Sequence, residues 1–336
     1  MAYTRHQLDE AWGHEDKSEN GPSRKIFLEL LARAKKNEKL TFAEAEYLCN
    51  ALRFTKLDDE GPGDFKICDD YIFRNLYLRY VFDLNGVTPI KKNKTEFTPV
   101  AEKRIEVQKL DEFFQDWEKV VERSNHPNQA LNYLSKETRS EIKELEKLPE
   151  FNQYGFLRRC NHFDYRKKKI VLHSKFIYIK YQEVMSELSE ADQTYELNGE
   201  QIEFTEYSFI HILFRHYAEI VKQTPNNKSY HIPDFSPDEI VGRLKEIFKR
   251  IDESTKFVGQ PIHEVNFRFK GVIYRIWIND RIKSVKGKGN VVFNRLETFF
   301  PLAEKTELED LKNNFIELEI DPELSVFTTK PAAGNG

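Results

Sequence analysis

The 336-residue sequence predicts an α+β protein, with a helical N-terminal domain followed by a small domain of two helices packed on an antiparallel sheet. Three observations carry that expectation. Apolar residues recur at helical spacing through most of the first 150 positions. Period-two alternation bounded by turn residues is concentrated between Thr194 and Leu302. A hydrophobic fraction of 39%, rich in aromatics (26 Phe), supplies apolar mass for the two cores expected at roughly 150 residues per domain.

Residues 1–23 are polar and acidic and read as a disordered or loosely attached segment. Residues 24–150 read as the helical domain. Ile26, Leu30, Leu31 and Ala34 share one face of a first helix. Thr41 caps a second helix, and Glu44 completes a capping box. DDEGPGD, residues 58–64, is a turn. DYIFRNLYLRYVFDLNG reads as a helix ending at Gly86, and TPIKKNKTEFTP as a loop. VAEKRIEVQKLDEFFQDWEKVVERSN and NQALNYLSKETRSEIKELEKL are helices by period and by Glu/Lys density. Pro149 marks a change of texture, and residues 151–190 read as a basic, aromatic connector in which KFIYIKY fits a strand or a helix.

Residues 191–302 form the predicted α+β domain. Asn198-Gly199 supplies the two positive-φ positions of a type I′ turn within the hairpin TYELNGEQIEF. The helix SFIHILFRHYAEI follows. SPDEIVGRLKEIFKRI is a second helix, with Ser236 as N-cap, Pro237 at its first position and Glu239 closing a capping box. VNFRFKGVIYRIWINDRIKSVKGKGNVVFNRLETFFPL reads as three or four strands, with turn signals at Lys270-Gly271 and Asn279-Asp280 and a basic loop, KGKG. Residues 303–336 read as an acidic, partly helical extension with a disordered tail, TTKPAAGNG.

No stretch approaches the ~18 uncharged apolar residues of a membrane span, and the first residues lack an apolar signal region. A cytoplasmic protein without a membrane partner is expected. Cys49, Cys68 and Cys160 are odd in number and form no CxxC pair, so they read as ordinary buried thiols of a reducing compartment. Net charge is −4, yet Val265–Arg295 holds eight basic residues against one acid, Asp280. Such a strip fits either a polyanion partner or a solvated face.

The helix after the hairpin carries the candidate chemistry. At about 100° per residue, Phe209, Ile212, Leu213, Tyr217, Ile220 and Val221 form one apolar arc. His216 falls inside that arc, while His211, Arg215 and Lys222 lie opposite. The two histidines stand about 140° apart on a straight helix, so one site is not easily served by both. A polar ring in an apolar stripe needs a partner. His216 therefore reads either as a satisfied core histidine or as a rim histidine able to move protons near neutral pH.

The order of hairpin, HILFRH helix, SPDEI helix and sheet ending in LETFFPL resembles the nuclease superfamily that includes barnase, EndoU, the tRNA-cleaving colicins and the RelE toxins. It is most similar to the phage- and polymorphic-toxin-associated branch. There the first helix often ends in a pattern such as HILKRHG and the last strand in Thr, an aromatic and Pro. This chain has Arg215-His216 and Thr298-Phe299-Phe300-Pro301, with Tyr217 in the glycine position and Glu297 ahead of the threonine. The likeness spans residues 194–302, about a third of the chain.

That resemblance implies a ribonuclease without a cofactor or metal, acting as a toxin or anti-phage effector. The ribose 2′-OH would attack the adjacent phosphate and leave a 2′,3′-cyclic phosphate. His216 is the implied acid or base, with Arg275 and Thr298 beside it. Lys283, Arg295, Arg215 and His211 are candidates for substrate binding. Tyr274 and Trp277 are candidate base-stacking rings or core residues, and their opposite strand parity puts at most one on any face. Arg295 and Thr298 are likewise of opposite parity unless a bulge intervenes. The implied partners are RNA, tRNA among the candidates, and a protein inhibitor or target bound by the helical domain. The competing readings are a non-catalytic RNA- or protein-binding module and a structural interaction protein. No HxxxH, HExxH or CxxC spacing, P-loop context, GxSxG elbow or strand-borne carboxylate cluster points to another chemistry.

Overall fold

The computed structural model describes the chain except residues 1, 19, 37, 39, 55–65, 82–103, 149–155, 186, 218–230, 232–234, 286, 288 and 331–336. The described residues are mixed α and β, with ten helices and a seven-stranded sheet. They fall into two compact units, and the division lies after Gln115 rather than at Pro149.

The first unit contains α1 (Arg5–Gly13), α2 (Pro22–Lys35), α3 (Phe42–Phe54), α4 (Lys66–Tyr80) and the start of α5 (Arg104–Glu122). Ile26, Leu30, Leu31 and Ala34 are buried, as their spacing predicts. The capping box also forms: Glu44 N–H donates to Thr41 Oγ1 at 3.2 Å, and Thr41 N–H donates to Glu44 Oε2 at 2.8 Å. Glu44 is fully buried but not idle, because Tyr3 N–H and the Arg33 guanidinium also reach its carboxylate.

Residues 1–23 are not loosely attached. Thr4 and Gln7 form a capping box on α1, and Leu8 and Ala11 pack into the core with Leu30 and Leu48. A helix that buries two side chains leaves little periodic signal, which is why composition misread it. Cys49 is buried and disulfide-bonded, not a free thiol. Sequence separation says nothing about whether folding brings two thiols together. DDEGPGD, Gly86 and TPIKKNKTEFTP lie outside the described residues.

The second unit begins within α5. α6 (Gln129–Glu146), α7 (Phe156–Met185) and α8 (Glu206–His216) pack on one another. The predicted connector is therefore core structure. α7 runs for 30 residues and buries Ile170, Val171, Leu172, Ser174 and Ile177, while Trp117 Nε1–H donates to Ser174 Oγ at 2.8 Å. KFIYIKY continues this helix. Its lysine heads sit among partners: Lys180, itself buried, pairs with Glu183 at 2.9 Å and Asp238 at 2.6 Å.

The sheet runs β1-β2-β5-β4-β3-β7-β6, from β1 (Thr194–Leu197), β2 (Glu200–Glu203), β3 (Glu264–Phe269), β4 (Val272–Val285), β5 (Gly289–Pro301), β6 (Phe315–Asp321) and β7 (Leu324–Thr329). All pairs are antiparallel except β2 with β5. The I′ turn forms at Asn198 (φ 54°) and Gly199 (φ 77°), and a second tight turn at Lys270 (φ 48°) and Gly271 (φ 84°). Asn279-Asp280 makes no turn. β4 continues through it, paired with Arg295 and Asn294, because both side chains are exposed and the ladder on β5 outweighs local turn preference.

Two further boundaries differ from expectation. α9 (Ile240–Glu253) starts at Glu239 as N-cap, three residues beyond the predicted Ser236, and residues 237–239 form a turn. The chain after 302 is no appendage. α10 (Lys305–Asn314) leads into β6 and β7, and β7 pairs with β3, burying Leu324, Val326 and Phe327. Thr328 and Thr329, at the start of the predicted tail, belong to this strand.

One irregularity matters for the site. Trp277 pairs with Thr298 but Ile278 pairs with Leu296, so Glu297 is an extra residue in β5. Arg295 then pairs with Asn279, which shares its parity with Trp277. The bulge puts Arg295 and Thr298 on the same face of the sheet.

Candidate functional site

The last turn of α8 ends against the second half of β5. β2 pairs with β5 only at residues 294 and 295, and beyond them side chains bind the strand's carbonyls. Ser208 Oγ–H donates to Leu296 O at 2.5 Å, and His231 Nε2–H donates to Phe299 O at 2.8 Å. His231 N–H in turn donates to His216 O at 2.8 Å, satisfying a carbonyl that the helix end would leave open.

His216 is half-buried. Its Nε2 lies 3.0 Å from Thr298 Oγ1, and its ring stacks on Phe300 with centroids 5.0 Å apart and planes 15° apart. Residues 82 positions apart in the chain thus form one polar pair. Trp277, the cross-strand neighbour of Thr298, is 37% exposed, whereas Tyr274 faces the core and is fully buried.

The remaining predicted residues are present but occupied. Arg275 is buried on the same face as Thr298. It donates to Asn266 Oδ1 at 2.9 Å, pairs with Glu264 at 3.1 Å and Glu307 at 3.6 Å, and lies 5.6 Å from the Trp277 ring. Arg295 binds both oxygens of Glu297 at 2.8 and 3.1 Å and lies 4.1 Å over the Tyr207 ring. Arg281 binds the same carboxylate at 2.7 Å. Lys283 pairs with Glu203, away from His216. Arg268 pairs with Glu317. The basic strip read from the sequence is therefore largely neutralised by acids that folding brings to it. Lys222 lies outside the described residues.

His211 and His216 are closer than the helical wheel predicts. Their ring centroids are 6.4 Å apart, with planes 70° apart. His211 Nδ1 lies 3.0 Å from Glu137 Oε1 and its ring stacks on Tyr207 at 5.3 Å. Arg215 Nη2 reaches Glu137 Oε2 at 2.7 Å and pairs also with Glu141. Burial alone would raise the Glu137 pKa, but the His211 hydrogen bond and the Arg215 charge outweigh it and hold the carboxyl below its ordinary range. Glu297 behaves in the same way between Arg281 and Arg295.

No family model, curated protein or solved structure matches the chain. The site must be read from its own geometry. Among the described residues no group of three or more His, Cys, Asp or Glu side chains is arranged to hold a metal ion. No described helix is long and apolar enough to cross a membrane.

Sequence reasoning missed Glu137, Glu141, Tyr207 and His231. Glu137 and Glu141 sit at i,i+4 on α6, a signal of one charged face but not of its partner. His231 lies outside the helix and strand patterns that periodicity reads from the sequence. Glu297 was visible only as a departure from the family pattern. What the cluster offers chemically is two imidazoles, a hydroxyl and an aromatic wall at a partly exposed helix end.

Proposed function

We propose that this chain is a ribonuclease that cleaves RNA without a metal, at the pair formed by His216 and Thr298, in the cytoplasm. The observation that carries the reading is the 3.0 Å contact between His216 Nε2 and Thr298 Oγ1 at a partly exposed position. These are two of the three residues to which the resemblance assigns chemistry; the third, Arg275, is held by Asn266, Glu264 and Glu307. His216 is one proton-transfer group of the cleavage, acid or base, and the Thr298 hydroxyl hydrogen-bonds a phosphate oxygen. Trp277 offers an exposed ring beside Thr298 on which a base can stack. RNA, with tRNA as one candidate, is the partner class, and a toxin or anti-phage role with a protein inhibitor is the biological form of this reading.

Incubation with total RNA in EDTA tests it. Wild type is expected to give 2′,3′-cyclic phosphate ends, and His216→Ala to lose about 10²–10⁴-fold in rate, the usual worth of a proton-transfer group. Thr298→Val should fall in the same direction. Equal rates for wild type and His216→Ala would remove His216 from the mechanism.

A specific observation favours a second reading, a non-catalytic module that binds protein rather than RNA. Arg268, Arg275, Arg281, Lys283 and Arg295 are each paired with a glutamate, which lowers the positive potential a polyanion would meet. Absence of cleavage under all conditions would select it.

A further inference from the structure

We propose that Glu137 is a positioning residue of this site: its carboxylate, reaching in from α6, orients His211 as a second proton-transfer group beside His216. The chemistry rests on the ribonuclease reading; the orientation of His211 does not. α6 lies outside the segment that carries the family resemblance, so the site extends into a helix that the resemblance leaves unaccounted for.

The geometry supplies three constraints on one ring. Glu137 is an acceptor only, so at 3.0 Å His211 Nδ1 carries the proton and the neutral ring keeps its lone pair on Nε2. Tyr207 stacks on the imidazole with planes 14° apart, which limits rotation of the ring. The other Glu137 oxygen receives Arg215 Nε at 2.9 Å, so the carboxylate cannot swing away. Arg215 is already paired with Glu141, so its charge does not need Glu137 as well. The charged and titratable groups around the pair are Glu137 and Glu141 on α6, Tyr207, Arg215 and His216 on α8, and Arg295 on β5, which lies over Tyr207.

Cleavage of an RNA phosphodiester needs a proton acceptor and a proton donor, and the two ring centroids lie 6.4 Å apart. His211 Nε2 takes the proton of the 2′-OH as the 2′-oxygen bonds to phosphorus. The bond from phosphorus to the 5′-oxygen breaks, and that oxygen takes a proton from protonated His216. Glu137 stabilises the His211 imidazolium that forms, as a buried carboxylate does for a catalytic histidine elsewhere. The products are a 2′,3′-cyclic phosphate and a 5′-hydroxyl, and no further reactant is consumed.

The experiment uses the full chain with 15N-labelled histidine. Long-range 15N–1H correlation reads the tautomer of each ring, and His211→Gln assigns the signal. Wild-type His211 is expected with its proton on Nδ1, and Glu137→Ala should shift it toward the ordinary Nε2-protonated form. In parallel, Glu137→Ala should lower kcat for RNA cleavage about 10- to 100-fold with KM within about twofold, and Glu137→Asp should restore part of it. A wild-type His211 protonated on Nε2 overturns the proposal, and this measurement decides even where the alanine variant fails to fold. Unchanged kcat in a folded Glu137→Ala overturns it too. Should the wild-type chain cleave no RNA, the ribonuclease reading and the proton-transfer role fall together, while the tautomer still decides whether Glu137 orients His211.

Discussion

His231 sits in a cage of Tyr217, Phe235, Tyr274 and Phe299, with Nε2–H bound to the Phe299 carbonyl. Its Nδ1 has no hydrogen-bond partner among the described residues. Burial pushes its pKa down from 6.5 to about 4, against the raising effect of the Phe299 contact. The folded form thus refuses a proton that the unfolded chain accepts below pH 6.5. Its contribution is fully present above pH 6.5 and is lost as pH falls toward 4, about 3 kcal/mol in all. Buried His173, lowered to about 3, acts in the same direction. Urea denaturation at pH 7, 6 and 5 should show stability falling toward acid before carboxylates titrate. His231→Phe should shed about one proton's worth of that slope while losing about 1–3 kcal/mol at pH 7, because the Phe299 carbonyl is left buried without its donor. An unchanged slope would mean that His231 is not held neutral. At this scale the sequence was half legible. His216 was marked by its place in an apolar stripe, but its partner Thr298 became apparent only through the family pattern, and Glu137 not at all. A charge on one helix does not announce which side chain it will meet 74 residues later.

Elements were legible where local chemistry and tertiary packing agree. Asn198-Gly199 needs positive φ at both positions and obtains it, and α2 and α3 follow their apolar spacing and cap. They were illegible where packing overrode local preference. Asn279-Asp280 is carried through β4 by its ladder to β5, and α7 remains helical through a stretch rich in β-branched and aromatic residues because two other helices cover it. The β5 bulge belongs to neither class. A single extra residue, Glu297, turns Arg295 to the face that carries Thr298, then takes up both Arg295 and Arg281. Glu297→Gln keeps the backbone count and removes the charge. It should leave β5 in register and cost about 1–3 kcal/mol in chemical denaturation, less than a fully buried triad because Arg281 is largely exposed. A loss near zero would mean that solvent already screens these arginines.

At the scale of the whole chain, the placement of β7 decides where the second unit ends. Residues 303–336 read as an extension because they are acidic and follow an apparent terminal strand, yet β3 has β4 on one side and β7 on the other. Removing β7 would expose the backbone edge of β3 and uncover Phe267 and Phe269, whose rings pack inside the sheet's core. It would also remove the buried side chains of Leu324, Val326 and Phe327, each worth about 1.5–3 kcal/mol on burial. That sum is comparable to the net stability of an ordinary domain, about 5–15 kcal/mol. A chain cut after Leu302 should therefore lose the cooperative thermal transition of the second unit and aggregate through the freed edge. A chain cut after Lys330 keeps β6 and β7 and should melt with the full-length protein. The pair of truncations separates the two boundaries in one calorimetric experiment. Cooperative melting of the 1–302 chain would mean that the sheet closes on five strands and that β6 and β7 only decorate it.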